Sequence, residues 1–235
     1  MQAEIHVLQA NNTWIEVDLP LGKRVINSKW VYKIKLKADG SLERYKARMV
    51  IRGNTQKEGI DYTEIFSPLV KMTTIRTVIA LAAIRKWSFY QLDVNNAFLH
   101  GDLYEEVYMK TPEGLHNPNN KVRKLQKSLY GMKQASQQWH SKLANFLKPQ
   151  GYTQFKHDYS LFLRHSRTHL TIAAVYVDDI LLTGSNPIKI QSLKQSLDST
   201  FGIKDLGQLH YFLGFEVSHH PKALLLLREN SLRIY

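Results

Sequence analysis

Cysteine is absent from this chain of 235 residues. Its absence excludes disulfide bridges, thiol catalysis, iron–sulfur clusters and zinc sites with cysteine ligands, and it favours a reducing compartment. Long apolar runs are also missing: no uncharged stretch approaches the ~18 residues of a membrane-spanning helix, and the amino terminus carries Glu4 in place of an apolar signal segment. We therefore expect a protein that is not secreted and has no membrane partner.

Acidic residues are scarce, with 20 Asp and Glu against 32 Lys and Arg and a formal net charge of +12. An excess of this size favours a polyanionic partner, with nucleic acid ahead of an anionic membrane surface. A Gly-rich phosphate-binding loop is missing too, so phosphates would have to be bound by Lys and Arg side chains. No repeat and no linker rich in Pro, Ser or Gly marks a domain boundary.

A basic β-hairpin is predicted for residues 29–52. Apolar and basic residues alternate with a period of two along both predicted strands, and Asp39-Gly40 between them provides a turn that accepts positive φ. An edge hairpin that uses lysines to prevent aggregation is the alternative interpretation. The alternation gives the hairpin one basic face: Lys33, Lys35 and Lys37 from the first strand, and Arg44, Lys46, Arg48 and Arg52 from the second.

The remaining pattern predicts helices and further strands. Helical spacing of apolar residues predicts helices at 73–86, capped by Thr73 or Thr74, at 136–148, and from Asn186-Pro187 to Gly202. Strands are predicted at 89–94, 170–177, 180–183 and 211–217. This order of elements predicts an α+β fold with an antiparallel sheet backed by helices.

Three aspartates mark the candidate chemistry. Asp178 and Asp179 separate two apolar strands, so their carboxylates stay close together and repel each other unless a cation lies between them. Asp93 ends another apolar strand and would join them if the strands are neighbours in the sheet. Such carboxylates suit Mg²⁺, and two ions about 4 Å apart promote phosphoryl transfer. A tight turn is the alternative explanation for Asp178 and Asp179.

Six segments, in the same order along the chain, resemble motifs of the reverse transcriptase of Copia-type long-terminal-repeat retrotransposons. The likeness covers residues 12–217. Three segments are similar to the first palm motif, the template-and-nucleotide motif and the catalytic hairpin: QLDVNNAFLHGDL at 91–103, SLYGMKQAS at 128–136 and YVDDILLTG at 176–184. Three more resemble the fingers strand, the late palm motif and the segment that steadies the primer end: RYKARMVIRG at 44–53, FGIKDLG at 201–207 and YFLGFEV at 211–217.

The resemblance implies a right-hand polymerase fold with fingers and palm. The N-terminal segment and the fingers would occupy residues 1–88, and residues 89–217 would form mainly palm with interspersed fingers elements. Residues 218–235 diverge from the family pattern as a tail. A thumb and a ribonuclease H region are lacking from this sequence, so we expect a fragment of a larger polyprotein.

The resemblance also assigns a metal site. Asp93, Asp178 and Asp179 would form the catalytic triad and bind Mg²⁺, with Mn²⁺ as an alternative ion. Val94 would add its backbone carbonyl to one of the ions. The same three acids are therefore expected to be both the catalytic residues and the metal ligands.

Five further residues would bind substrate. Phe98 would lie under the incoming sugar, with simple burial of its ring as the alternative. Gln134 would contact the incoming nucleotide or the template base opposite it. Lys46 and Arg48 would bind the triphosphate, and Lys35 is a third candidate whose register the sequence does not fix.

The implied function is RNA-directed and DNA-templated DNA polymerisation, in which two Mg²⁺ ions promote nucleotidyl transfer to a primer 3′ end. The expected partners are an RNA or DNA template with a DNA primer, deoxynucleoside triphosphates, and a second copy of the chain or the remaining polyprotein domains. The expected location is the cytoplasm, within a virus-like particle, or the nucleus. Two alternatives stay open: a catalytically inactive nucleic-acid-binding remnant, and another two-metal enzyme on a palm-like sheet.

Overall fold

A computed structural model describes residues 1–37, 39–212, 215–220 and 223–228. The described residues form the helices α1 (Gln2–Ala10), α2 (Met72–Ile84), α3 (Ala135–Leu147) and α4 (Pro187–Phe201). Their strands are β1 (Trp14–Val17), β2 (Val25–Ile26), β3 (Ser28–Leu36), β4 (Leu42–Ile51), β5 (Phe89–Val94), β6 (Tyr108–Met109), β7 (Val122–Leu125), β8 (Thr153–Phe155), β9 (Asp158–His165), β10 (Leu170–Tyr176), β11 (Asp179–Gly184), β12 (Ile203–Gln208), β13 (Tyr211–Phe212), β14 (Phe215–His220) and β15 (Ala223–Arg228). No helix within these residues has the length and apolar character needed to cross a membrane.

The chain folds into two compact units whose segments interleave along the sequence. Unit 1 comprises Met1–Ser67 and Asn96–Leu143, and unit 2 comprises Pro68–Asn95 and Ala144–Tyr235. The division follows compactness and differs from the predicted segments 1–88 and 89–217. Those segments refer to fingers and palm, and that assignment stays a prediction.

Unit 1 contains a sheet with the strand order β1-β7-β6-β2, in which β2 and β6 run parallel. Strands of two to four residues are too short to show a period in the sequence, so the sequence does not predict them. The helix α1 was not predicted either; its Ile5 and Leu8 are buried. The interior also contains large apolar side chains from several segments: Met49, Met109, Leu125, Leu129 and Trp139.

The predicted basic hairpin of unit 1 is confirmed as the two-stranded antiparallel sheet β3-β4. Its register pairs Val31 with Arg48, Lys33 with Lys46, and Lys35 with Arg44. Residues directly opposite each other in an antiparallel pair point to the same face of the sheet. These three pairs therefore share one face, as the alternation of the sequence predicts.

Unit 2 contains an antiparallel sheet of six strands in the order β12-β5-β11-β10-β9-β8. The helix α4 contacts β11 and β12. On one face of the sheet the apolar side chains of α2 pack against those of the strands, including Ile75, Val78 and Ile79 from the helix and Phe89 and Leu181 from the sheet. The predicted antiparallel sheet backed by helices is confirmed for this unit.

Two details of the sequence prediction are wrong. The N-cap residue of α2 is Lys71, without a side-chain capping hydrogen bond, and not Thr73 or Thr74; the Thr74 hydroxyl donates to the Asp158 carboxylate (2.6 Å). The segment 211–217 is not one strand but is divided between β13 and β14, with residues 213–214 outside the described part. The boundaries of α4 are confirmed, since Asn186 accepts a hydrogen bond from the Lys189 N–H and Gly202 ends the helix.

Candidate active site

Strand pairing in unit 2 places two of the three predicted acids directly opposite each other. The strands β5 and β11 are neighbours in the sheet, and Asp93 of β5 pairs with Asp179 of β11. Like charges at directly opposite positions destabilise a sheet. The pairing is therefore one that a fold without a use for these carboxylates would avoid.

The third acid, Asp178, lies in the two-residue turn between β10 and β11. Its backbone carbonyl accepts a hydrogen bond from the Val94 N–H (2.8 Å), which attaches the turn to the end of β5. The preceding residue of the turn, Val177, has φ +55°, an unfavourable conformation for a β-branched residue. The chain thus maintains backbone strain at the point that brings Asp93, Asp178 and Asp179, here called the acidic end, together.

Burial raises the pKa of the Asp179 carboxyl above its ordinary value, and the charges of Asp178 and Asp93 raise it further. A hydrogen bond from the Gln91 Nε2 to the Asp179 Oδ1 (3.0 Å) opposes the rise. Gln91 lies two residues before Asp93 on β5 and therefore on the same face. The net result is a raised pKa, so the charged form of this carboxyl is less favourable here than in water.

The acidic end shares its sheet face with the core formed by α2. Phe89 and Asp93 have the same parity along β5, and so have Leu181 and Asp179 along β11. Phe89 and Leu181 are buried in that core. On this face Phe89 and Leu181 belong to the apolar core, and the face becomes polar and then acidic towards the turn.

The donor chemistry of the acidic end fits a divalent cation. In the described part of the chain no three His, Asp or Glu side chains converge closely enough to form a metal cluster. The three carboxylates are nevertheless close enough for Asp93 and Asp178 to raise the pKa of Asp179. Carboxylate oxygens are the ligands that Mg²⁺ and Mn²⁺ prefer, and a cation among them would relieve this repulsion.

The basic face of the β3-β4 hairpin carries the predicted triphosphate ligands of unit 1. The register that the sequence left open for Lys35 is opposite Arg44, so Lys35, Lys46 and Arg48 share this face. Burial lowers the pKa of Lys46, the charges of Arg48, Lys35 and Arg44 lower it further, and Glu4 opposes the change. Such a face favours the binding of an anion, because an anion relieves the repulsion among the cations.

Phe98 and Arg48 are brought together in unit 1 by a residue that the sequence analysis did not select. Phe98 lies in a short 3₁₀ turn (Ala97–His100) directly after β5, and its side chain is 9% exposed. Its ring meets the Tyr130 ring edge to face, with 4.7 Å between centroids. The Arg48 guanidinium lies over the same tyrosine ring, 3.9 Å from its centroid. We call these three residues the Tyr130 cluster.

Glycine allows the segment that carries Tyr130 to lie against the end of β4. Leu129, Tyr130, Gly131 and Met132 form a turn closed by a hydrogen bond from the Met132 N–H to the Leu129 carbonyl, with φ +87° at Gly131. The Tyr130 carbonyl accepts a hydrogen bond from the Ile51 N–H (2.7 Å). A Cβ on Gly131 would lie 2.2 Å from the Ile51 carbonyl oxygen, so only glycine allows this contact.

Gln134 is fully buried in unit 1 and both ends of its amide are bonded to protein. Its Nε2 donates to the Asp61 carbonyl (2.8 Å), and its Oε1 accepts from the Gln56 Nε2 (3.0 Å). The Gln56 Oε1 in turn accepts the Lys133 N–H (2.8 Å). A contact of Gln134 with a nucleotide stays a prediction, and it would require the exchange of one of these hydrogen bonds.

Two residues of the site were missed from the sequence. Gln91 could have been found, because a period of two places it on the face of Asp93. Tyr130 lies inside the quoted segment SLYGMKQAS, but nothing in that segment indicates contact with Arg48, which is far away in the sequence. The structure pairs Asp93 with Asp179 on neighbouring strands of unit 2 and places Asp178 in the adjoining turn. In unit 1, Arg48 and Phe98 both contact the Tyr130 ring.

Comparison with known proteins agrees with the predicted resemblance. Residues 11–232 match the family described as "Reverse transcriptase (RNA-dependent DNA polymerase)". The chain is 48% identical over 220 residues to the retrovirus-related Pol polyprotein from transposon TNT 1-94 of Nicotiana tabacum, which covers 92% of the chain and 17% of the polyprotein. It is 42% identical over 227 residues to the Pol polyprotein from transposon RE1 of Arabidopsis thaliana, covering 95% of the chain and 16% of that protein.

A yeast relative extends the similarity beyond plants. The Transposon Ty1-BR Gag-Pol polyprotein of Saccharomyces cerevisiae is 32% identical over 218 residues, covering 89% of the chain and 12% of the polyprotein. The chain thus spans 17% or less of the length of each of these three relatives. It belongs to the reverse transcriptase (RNA-dependent DNA polymerase) family, in the form found in Pol polyproteins of Copia-type retrotransposons.

Proposed function

We propose that this chain is the polymerase region of a retrotransposon Pol polyprotein and adds deoxynucleotides to a primer 3′ end on an RNA or DNA template. The observation that carries the proposal is the pairing of Asp93 with Asp179, to which the turn adds Asp178. This acidic end combines carboxylates that repel one another with a strained turn. Such costs are typical of functional sites.

The acidic end would hold magnesium, or manganese in its place. Asp93, Asp178 and Asp179 would supply carboxylate oxygens and Val94 its backbone carbonyl. Bound metal would activate the primer hydroxyl and stabilise the leaving pyrophosphate. The protein side of this chemistry is positional: strand pairing fixes Asp93 and Asp179, the turn fixes Asp178, and Gln91 orients the Asp179 carboxylate.

Unit 1 would supply the nucleotide ligands and part of the fingers. The shared basic face of the hairpin supports Lys35, Lys46 and Arg48 as triphosphate ligands. Lys and Arg side chains are suited to this task because they donate charge-assisted hydrogen bonds to phosphate oxygens. Phe98 would exclude a ribose 2′-hydroxyl by its volume, and the six-stranded sheet of unit 2 would be the palm.

Primer extension by the purified chain tests the proposal. A labelled DNA primer on an RNA template, and the same primer on a DNA template, are incubated with deoxynucleotides and Mg²⁺, and then with Mn²⁺. The parent should extend the primer on both templates, and Mg²⁺ with nucleotide should raise the melting temperature of the parent. Asp178→Asn should lower extension at least about a hundredfold and leave duplex binding nearly unchanged, because the basic face is intact.

The matched control is Asp18→Asn, since Asp18 is a highly exposed acid of unit 1 and its ion pair with Lys121 is long at 3.9 Å. It removes the same charge from the chain and should extend primers as the parent does. Extension by Asp178→Asn at the parental rate would exclude the triad assignment. A parent that binds the duplex tightly but extends neither primer would support the remnant interpretation instead.

A further inference from the structure

The Tyr130 ring contacts two residues that are expected to bind different parts of one nucleotide. Phe98, the predicted neighbour of the sugar, meets the ring at 4.7 Å between centroids. Arg48, a predicted triphosphate ligand, covers it at 3.9 Å from the guanidinium carbon. All three residues belong to unit 1.

The backbone around Tyr130 also contacts the segment that carries Arg48. The Tyr130 carbonyl accepts the Ile51 N–H at 2.7 Å, and Ile51 is the last residue of the strand that carries Arg48. Gly131 and Gly53 allow the two segments to touch, since a Cβ on Gly53 would meet the Gly131 carbonyl oxygen. The main chain therefore places Tyr130 beside the end of the strand that carries Arg48.

Arg48 retains hydrogen-bonding capacity in this arrangement. Its side chain is half-buried, and its Nε is buried with no hydrogen-bond partner among the described residues. A guanidinium over an aromatic face keeps its N–H groups at its edge, where they are able to bind phosphate oxygens. A buried donor of this kind is costly unless a ligand satisfies it.

We propose that Tyr130 is a positioning residue for nucleotide selection, which holds Arg48 for the triphosphate and Phe98 for the sugar. The inference rests on the proposed function and deepens it. Because one ring supports both contacts, triphosphate affinity and sugar discrimination are coupled. A change that removes the ring affects both, whereas a change in Arg48 or Phe98 acts directly on one.

The test compares variants of the full chain in primer extension with deoxynucleotides and ribonucleotides. Tyr130→Leu removes the ring and should raise the deoxynucleotide KM about three- to tenfold, with a smaller change in kcat. It should also raise the ratio of ribonucleotide to deoxynucleotide kcat/KM about threefold or more. Tyr130→Phe restores the ring and should return both quantities to within about twofold of the parent.

Two controls separate positioning from general damage. Tyr104→Leu removes a tyrosine of unit 1 that is 82% exposed, and it should change neither quantity. Arg48→Lys keeps the charge and the fold but loses the planar guanidinium, so it should raise the KM without altering the sugar ratio. Adding Arg48→Ala to Tyr130→Leu should raise the KM by less than the product of the two single effects.

The outcomes distinguish this inference from the function on which it rests. Parental KM and sugar ratio in Tyr130→Leu, with altered values in Arg48→Ala and Phe98→Ala, would overturn the role of Tyr130 and leave the nucleotide site in place. Parental values in all three variants would overturn the nucleotide site as well. A Tyr130→Phe variant as defective as Tyr130→Leu would also overturn the inference, because it would place the effect in the hydroxyl and not in the ring.

Discussion

The acidic end of unit 2 and the Tyr130 cluster of unit 1 are assembled in two different ways. Asp93 and Asp179 meet because β5 and β11 are neighbours in one sheet and pair in a fixed register. The remaining paired residues of the two strands keep this register. Arg48, Phe98 and Tyr130 come from three separate segments, which meet through two ring contacts and a main-chain hydrogen bond at the end of β4. The first arrangement is built by a repeating pattern, and the second depends on individual turns and glycines.

The two sites also differ in the kind of free-energy cost that they carry. In the acidic end the cost is electrostatic, because the fold is regular and the charges are unfavourable. In the Tyr130 cluster the cost is conformational, because the close approach of β4 to residues 129–132 tolerates no Cβ at position 131. Substitution of an acid of the acidic end should therefore reduce activity without loss of fold, whereas a substitution at Gly131 beside the Tyr130 cluster should reduce the stability of the fold.

The largest effect is expected for Asp179→Asn. It should lower primer extension at least about a hundredfold, because a metal ligand loses its charge. The same change should raise the melting temperature in metal-free buffer, since it removes a half-buried charge that Asp178 and Asp93 repel and keeps an oxygen for Gln91. Added Mg²⁺ should then stabilise the parent more than the variant, as thermal melting will measure.

Asp205→Asn is the matched change within the same sheet and should have the opposite sign. Burial raises the pKa of Asp205, but hydrogen bonds from Lys194 and from the Gly207 N–H outweigh it and leave the pKa below the ordinary value. Because Lys194 is buried, loss of its partner should destabilise the protein by about 1–3 kcal/mol. Equal stability of the two asparagine variants in metal-free buffer would contradict the electrostatic account of the acidic end.

The pH dependence of the two variants follows from these directions. A raised folded pKa means that the Asp179 charge costs stability above that pKa, and the cost disappears below the ordinary value of 3.8. A lowered folded pKa means that Asp205 contributes stability above its ordinary value and loses it as pH falls through the folded pKa. Both variants should therefore approach the parent in stability as acid is added, one from above and one from below.

Gly131→Ala should destabilise the fold at the Tyr130 cluster. The added Cβ meets the Ile51 carbonyl at 2.2 Å and the residue must keep φ +87°, so we expect a loss of about 2–4 kcal/mol of unfolding free energy. Gly22→Ala is the control, since Gly22 has φ +80° with nothing within 4 Å of a Cβ. Its cost should be limited to the backbone strain, about 1–2 kcal/mol. Chemical denaturation of both variants would measure the difference, and equal losses would show that the close approach is unimportant.

The same distinction explains how much of the molecule was predictable from the sequence. A period of two along residues 29–52 and apolar runs around Asp178 and Asp179 predict strands, and strands with one acidic junction each are expected to meet in one sheet. The Tyr130 contact with Arg48 has no such signal, because it depends on turn geometry at Gly131. Thr74 shows the same limit: a capping residue is predicted from its neighbours, yet a distant Asp158 accepts its hydroxyl.

Combined replacement of Lys46 and Arg48 by Ala should raise the deoxynucleotide KM at least about tenfold, since two cations of one face are lost. Lys23→Ala with Lys121→Ala is the matched control, because it removes two charges from unit 1 at partly exposed ion pairs outside the hairpin. Steady-state kinetics at constant salt will measure the KM. An unchanged KM with weaker duplex binding would show that Lys46 and Arg48 contact the template–primer duplex and not the nucleotide.

The smallest expected effect is on sugar selection by Phe98→Ala. If the ring occupies the space of a 2′-hydroxyl, its removal should raise the ratio of ribonucleotide to deoxynucleotide kcat/KM about fivefold, because the clash acts on one substrate only. Removal of a buried ring also destabilises the fold, but the ratio is unaffected by the fraction of active protein. Leu99→Ala shortens the adjacent buried side chain in the same 3₁₀ turn and should destabilise the protein while keeping the parental ratio. A parental ratio in Phe98→Ala would show that the Phe98 ring packs against Tyr130 and has no role in sugar selection.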